Sequence, residues 1–281
     1  IYDDVEGGAL MDISQFFGKR LAERIEPPRL SAKGRPLHSV TVEDFYYNVQ
    51  DAIEQKKPFI YVLDSQDALV SESSREKFLE QKKASEAGRD AAGSYGDGKA
   101  KYHSEHLRQV VGQLRRTGSI LLIIGQTRDN LGFGFEKKTR SGGKALRFYA
   151  NVEIWTSVVG KIKKKVRGRE RTIGVECQAE VRKNRVTGKI GKDRAVTFPI
   201  LYAVGIDDIG GCVDFLISEK HWEKVDKTSY DAKELFVQGN RDAIVKAVEE
   251  EGLEAKLREI TAQVWKQIEV ECTPERKKRY E

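Results

Sequence analysis

The chain has few of the residues that would mark it as disulfide-stapled, zinc-bound or membrane-embedded. Among its 281 residues are three cysteines and a single methionine, Met11. Cys177, Cys212 and Cys272 are odd in number and far apart, with no C-x-x-C pattern and no nearby histidine pair. That spacing argues against a disulfide framework and a structural zinc, and a reduced, cytoplasmic setting is expected. The longest apolar runs, FIYVL at 59–63 and ILLII at 120–124, are strand-sized. Both fall far short of the roughly 18 residues needed to cross a bilayer, so no membrane partner is expected. The opening IYDDVEGGALMD is acidic, and no basic segment followed by an apolar one is present to suggest a secretory leader. No internal repeat or low-complexity tract is evident.

What is present describes a folded, charged protein. Apolar residues make up 39% and charged residues 33%, enough to fill a core and solvate a surface. Fifty Lys and Arg against 44 Asp and Glu leave a net charge of +6, which leans toward an anionic partner such as nucleic acid or nucleotide. The length fits one large domain, or a core with a small appendage.

Along the chain, Val42, Phe45, Tyr46, Val49 and Ile53 recur at helical spacing behind Thr41 and Asp44, a capping-box start for a helix over 41–55. KKPFIYVLDSQDAL follows, and its short apolar run ending in a carboxylate predicts a fully buried parallel strand. A polar, Gly-rich stretch from Ser71 to Tyr102 includes a charged helical segment, and a helix over 103–116 carries Leu107, Val110, Val111 and Leu114 on one face. ILLIIGQ then predicts another buried strand. Past Gly143, Ile173, Val175, Cys177, Ala179 and Val181 alternate with polar neighbours, the period of an antiparallel strand with one wet face. After Gly211 strand signals fade, and apolar positions from Ala243 to Ile268 recur at helical spacing, broken at Gly252. The expected architecture is α/β, a mixed, mostly parallel sheet flanked by helices over 1–210, with a small, mainly helical domain over 211–281.

In open α/β sheets ligands bind beyond the carboxyl ends of the strands. Three such ends are polar: Asp4-Val5-Glu6, Asp64-Ser65 and Gln126. A carboxylate to hold magnesium, a second to activate water and an amide to contact a terminal phosphate are the parts that phosphoryl hydrolysis needs. An Asp after an apolar strand is also a common turn or helix cap, so no one of the three is specific alone. GSYGDGKA at 93–100 fits G-x-x-x-x-G-K but ends in Ala100 where a hydroxyl should reach magnesium, and it follows a charged helical segment instead of a strand. It reads as a coincidental match. Ile1 opens in what reads as a strand, so a phosphate cradle is expected upstream of it.

Two basic stretches follow. QTRDNLGFGFEKKTRSGGKALR at 126–147 joins Arg128, Lys137, Lys138, Arg140, Lys144 and Arg147 to glycines and to Phe133 and Phe135. Flexible backbone, cations and rings suit a single-strand binding loop, although an ordinary solvated loop has a similar composition. Lys161 to Arg194 carries 13 Lys and Arg against four Asp and Glu, the composition of an exposed charged hairpin.

SGGKALRFYANVEIW at 141–155, placed after LLIIGQTR at 121–128 and followed by VRKNRV at 181–186 and FPILYAVGI at 198–206, resembles the RecA family of homologous-recombination ATPases, phage members included. YDDVEGGAL at 2–10 and YVLDSQDAL at 61–69 occupy the family's places for the catalytic-glutamate strand and the Walker B strand. The resemblance implies ATP and Mg²⁺ as cofactors, with Glu6 activating water, Asp64 (beside Ser65) supporting the metal, and Gln126 linking nucleotide to the DNA loop. It implies DNA contacts from Gly96 and Lys99 in a first loop and from Arg128, Lys137, Lys138, Arg140, Gly142, Gly143, Lys144 and Arg147 in and after a second. Lys183 and Arg185 match cations that reach ATP on a neighbouring subunit of a helical filament. The partners so implied are single- and double-stranded DNA and further copies of the chain. A RecA-fold DNA-binding or assembly subunit without ATPase activity, and a ring-forming motor on the same fold, remain alternatives.

Overall fold

Local sequence settles the first long helix. Thr41 Oγ1 accepts from Asp44 N at 3.0 Å while Asp44 Oδ2 accepts from Thr41 N at 3.1 Å, the reciprocal capping box that the sequence predicts. In the computed structural model, which describes residues 1–8, 12–88, 99–129, 138–140 and 143–276, the chain divides into two units, Ile1–Glu153 and Ile154–Glu281.

The first unit runs β1 (Tyr2–Asp4), short helices α1 (Ile13–Phe17) and α2 (Lys19–Ala22), the small hairpin β2 (Arg29–Leu30) and β3 (Pro36–Leu37), α3 (Val42–Glu54), β4 (Ile60–Asp64), α4 (Glu72–Glu86), α5 (Lys99–Thr117), β5 (Ile120–Ile123), β6 (Thr127–Asp129), β7 (Lys138–Arg140) and α6 (Gly143–Tyr149). β1, β4 and β5 form a parallel sheet in that order, with Asp4 opposite Asp64 and Leu63 opposite Ile123. Tyr61 and Leu63 of β4 share a core with Phe45 and Val49 of α3 and with Leu107 and Val110 of α5. The expectation of strands buried on both faces is corrected here: Ile60, Ile120 and Leu122 are exposed, because the helices cover only the face that holds Tyr61 and Leu63. Helix α4 buries none of its side chains and is held by its Ser71 cap and its own charge pairs, such as Lys82 with Glu86.

The second unit takes in most of β8 (Val152–Val166), then β9 (Arg169–Asn184), β10 (Val196–Leu201), β11 (Gly205–Ile206), α7 (Asp208–Ser218), β12 (Glu223–Lys224), β13 (Ser229–Ala232), β14 (Val237–Asn240), α8 (Arg241–Glu251) and α9 (Glu254–Glu271). The alternating segment at 173–181 lies in β9, which pairs antiparallel with β10, and the sheet order is β11-β10-β9-β8. Among the described residues, these antiparallel strands hydrogen-bond in a sheet of their own and not with β1, β4 and β5. The expected boundary at 210/211 falls within α7. Beyond it, α8 and α9 pack Ile244, Val248, Leu257, Ile260 and Val264 around Leu216 and Trp222. The three-stranded sheet β12-β13-β14 was not anticipated, because its strands are two to four residues long, too short to show a period-2 pattern.

Candidate functional site

The parallel register brings the carboxyl ends of β1, β4 and β5 together, and backbone hydrogen bonds continue past the strands to join them. Val5 N donates to Asp64 O at 2.8 Å, and Gln66 N donates to Ile124 O at 3.0 Å. The Asp64–Ser65 peptide bond is cis. Three polar side chains converge on this rim. Glu6 Oε1 accepts from Ser65 Oγ, and also from Gln126 Nε2 at 3.2 Å, across 120 residues of sequence. Both donors use one carboxylate oxygen, so Oε2 has no hydrogen-bond partner among the described residues, and Glu6 is exposed to solvent. A carboxylate anchored through one oxygen can accept a proton from a water held at the other.

Asp64 is set beside this group by Tyr2, whose hydroxyl donates to Asp64 Oδ2 at 2.6 Å. Burial and the carboxylates of Asp64, Asp4 and Glu6 raise the Tyr2 phenol far above its ordinary value, so it stays a donor. Among the described residues no cluster of three or more carboxylate, His or Cys side chains is arranged as a metal cage. That donor set suits magnesium, which keeps its waters and takes one or two carboxylates together with substrate phosphates. Asp64, with Oδ2 fixed by Tyr2, is a carboxylate at this rim of the kind such a metal takes.

Beneath the rim, β1 is pinned by a buried carboxylate. Asp3 is fully buried; its Oδ1 accepts from Ser39 N at 3.0 Å, and its Oδ2 accepts from Ser39 Oγ at 2.5 Å and Tyr61 Oη at 2.8 Å. Ser39 Oγ in turn accepts from Asn48 Nδ2 of α3 at 2.9 Å. The strand that delivers Glu6 is thereby tied to both α3 and β4.

Asp67, which no sequence motif marks, organises the third tip. Its Oδ2 accepts from Gln126 N at 2.7 Å and from Gln66 Nε2 at 3.3 Å, while its carbonyl accepts from Lys99 Nζ at 3.2 Å. Lys99, expected in a DNA loop, therefore braces the rim at the start of α5. The available signal was a second carboxylate in the turn just after a strand, a position where Asp commonly bonds nearby backbone.

A groove of about 470 Å³ lies between α5 and α6, lined by Ala100, Ser104 and Arg108 from one helix and Lys144, Phe148 and Tyr149 from the other. Two cations, a hydroxyl and aromatic rings form a surface suited to a sugar-phosphate chain. Lys144, expected among the DNA contacts, lines this groove. Arg147 is not in the lining; its Nε pairs with Glu153 Oε2 at 3.6 Å. Ser104 and Arg108 were missed because α5 was read by its apolar face, although Ala100, Ser104 and Arg108 recur every four residues along a second face.

Arg128 lies in β6, Lys138 and Arg140 in β7, and Gly143 opens α6; β6 and β7 pair antiparallel with Arg128 opposite Thr139. Gly96, Lys137 and Gly142 lie outside the described residues. Lys183 and Arg185 belong to the second unit, at the end of β9 and in the turn after it. Their neighbour Arg182 stacks on Trp155, 3.8 Å from the ring centroid.

A RecA N-terminal domain family model matches residues 60–207, more than half of the chain. The chain belongs to the RecA family. The matched span includes Asp64, Ser65, Gln126, the groove and the cations at 183 and 185. Glu6 lies before it and is joined to the matched span by its contacts with Ser65 and Gln126.

Proposed function

We propose that this protein is a RecA-type recombinase, an ATP- and magnesium-dependent protein that coats single-stranded DNA as a filament and promotes pairing and strand exchange with a homologous duplex. The observation that carries this reading is the convergence of Glu6, Ser65 and Gln126 at the rim of a parallel sheet whose third strand leads directly into the basic segment 127–147. Glu6 acts as the general base toward the attacking water, held through Oε1 by Ser65 and Gln126. Asp64, oriented by Tyr2, would hold magnesium, and the metal would neutralise charge on the transferring phosphoryl group. Gln126 connects the base to the DNA-binding segment, because its side chain touches Glu6 and the next residue begins β6. Arg108, Lys144 and Ser104 receive the DNA backbone, and the cations of the segment 127–147 contribute further phosphate contacts. Lys183 and Arg185 act across the interface between copies, so that turnover depends on assembly.

The test compares ATP turnover by the wild-type protein and by Glu6→Gln, with and without single-stranded DNA. Glutamine preserves an oxygen for Ser65 and Gln126 while abolishing the base, so DNA-stimulated turnover should fall on the order of 10²- to 10⁴-fold with DNA binding retained. Equal turnover by the two proteins would remove Glu6 from the chemistry. A wild-type protein that binds DNA without hydrolysing ATP would be a DNA-binding or assembly subunit instead.

A further inference from the structure

Asp67 departs from what an aspartate in a turn after a strand usually does, which is to bond backbone two residues on. Its Oδ2 instead accepts from Gln126 N, 59 residues away, at 2.7 Å, within the short range of a charge-assisted bond. Lys99 Nζ, 32 residues away in the chain, donates to the Asp67 carbonyl at 3.2 Å. The surroundings leave little slack. Gln66, 2% exposed, donates its side-chain amide to the same Oδ2 at 3.3 Å. A Cβ added to Gly125 would sit 3.2 Å from that amide nitrogen and 3.6 Å from Asp67 Oδ2.

Three contacts therefore run in series. Lys99 holds Asp67, Asp67 holds the Gln126 backbone, and Gln126 Nε2 donates to Glu6 Oε1 at 3.2 Å. Lys99 is half-buried and is the first residue of α5; the next residue, Ala100, begins the lining of the α5–α6 groove, which Ser104 and Arg108 continue on the same helix. One helix thus carries a wall of the groove and, at its first turn, a cation bonded to the rim. That first turn contains Lys99 and Lys101 and no acidic residue. Lysines are disfavoured there, because a helix N-terminus is itself partially positive. The Asp67 carbonyl oxygen supplies Lys99 with the negative end that its own helix lacks. A local rule broken and then compensated by a distant residue marks a place where position matters.

We propose that Asp67 and Lys99 are positioning residues for Glu6, and that they convey the occupancy of the α5–α6 groove to it. Neither touches the reacting atoms. Asp67 fixes the backbone of Gln126, which is exposed and follows a glycine, so that its side-chain amide stays on Glu6 Oε1. A shift of α5 on filling of the groove moves Lys99 with it, and the displacement passes through Asp67 to Gln126. Lys99 then senses DNA without contacting it. That role differs from the direct DNA contact that the resemblance implies for Lys99, and the two are separable. The inference rests on the recombinase reading for what Glu6 does and for what fills the groove; the link itself rests on the three hydrogen bonds.

Two measurements on the full chain test it. The first is hydrogen–deuterium exchange at the Gln126 amide without nucleotide or DNA. Asp67→Ala removes the acceptor and should speed exchange on the order of 10-fold, the effect of one hydrogen bond to a charged group, whereas Asp67→Asn keeps an acceptor and should stay within about threefold of wild type. Lys99→Met keeps the side chain's length without its charge and should speed exchange about threefold. The second is ATP turnover at saturating single-stranded DNA. Asp67→Ala should lower kcat on the order of 10-fold with the KM for ATP within about twofold of wild type, and Asp67→Asn should keep most of the rate. Lys99→Met should lower the stimulated kcat by about threefold while the salt slope of single-strand binding stays at wild type, and the double variant should be no slower than Asp67→Ala alone.

Unchanged exchange or wild-type kcat in Asp67→Ala overturns the proposal. So does a Lys99→Met slope flattened by about 0.7 with full stimulation once DNA saturates, since Lys99 would then be a phosphate contact. Losses that multiply in the double variant put the two residues on separate routes and overturn it too. If the wild-type protein hydrolyses no ATP, the recombinase reading fails and amide exchange alone decides the link: faster exchange in both Asp67→Ala and Lys99→Met upholds it, and unchanged exchange overturns it. Turnover abolished by Glu6→Gln but untouched by Asp67→Ala and Lys99→Met removes the link and leaves the recombinase reading in place.

Discussion

Replacing Asp3 by alanine strands three buried donors at once: Ser39 N at 3.0 Å, Ser39 Oγ at 2.5 Å and Tyr61 Oη at 2.8 Å all point at its carboxylate. A buried donor left without its acceptor costs about 1–3 kcal/mol. The vacated space can admit water to all three donors, so the low end applies to each. The expected loss is about 3 kcal/mol. For a unit of this size, about 2–4 °C per kcal/mol puts the fall in the first unit's melting temperature at about 6–12 °C. The assay is thermal unfolding followed by circular dichroism at neutral pH, with Tyr61→Phe and the double variant completing a cycle. Coupling between positions 3 and 61 should exceed about 0.5 kcal/mol. A melting temperature within about 2 °C of wild type, with no coupling, would show that this network does not hold β1 in place.

Four further outcomes follow from the same geometry. Tyr2→Phe removes the 2.6 Å donor to Asp64, and the magnesium concentration for half-maximal ATP turnover should rise roughly tenfold, the size of one hydrogen bond to a charged group, with DNA affinity unchanged. Arg108→Ala and Lys144→Ala should each weaken single-strand binding and flatten its salt slope by about 0.7; wild-type slopes would exclude the α5–α6 groove from the DNA path. Gly125→Ala puts a methyl 3.2 Å from Gln66 Nε2, and should displace Gln126 and lower DNA-stimulated turnover more than it lowers stability. Burial raises the phenols of Tyr46 and Tyr61 far above their ordinary value of 10.0, so the folded protein keeps them neutral while the unfolded chain ionises. The associated stability is fully present below pH 10 and is lost as pH rises, at about 1.4 kcal/mol per pH unit for each ring, and Tyr46→Phe should remove one ring's share of that slope in denaturant titrations at alkaline pH.

Features set by neighbours in sequence were legible, and those set by distant partners were not. The α3 capping box is a four-residue pattern and appears as predicted. The polar ends of three apolar runs could be read one by one, and the rule that ligands gather at strand ends suggested that they meet. That Ser65 and Gln126 share a single oxygen of Glu6 is a matter of register, which no local pattern encodes. The Asp3 network links positions 36 and 58 residues apart, and an aspartate inside an apolar strand gives no hint of its partners. Arg108 was hidden because the apolar stripe of an amphipathic helix carries the stronger periodic signal. Exposure of Ile120 and Leu122 shows that an apolar run fixes strand identity without fixing how many faces are covered.

Between Lys161 and Arg171, at the turn of the β8–β9 hairpin, seven Lys and Arg against one acidic residue give an excess equal to the chain's net +6. With the remaining residues neutral in sum, this short hairpin accounts for the net charge that a distant polyanion feels. A net positive charge speeds the encounter with a polyanion and opposes the approach of a second copy. Added electrolyte shortens this reach to roughly 8 Å at physiological ionic strength, so the steering is a property of dilute buffer and of encounters that begin close by.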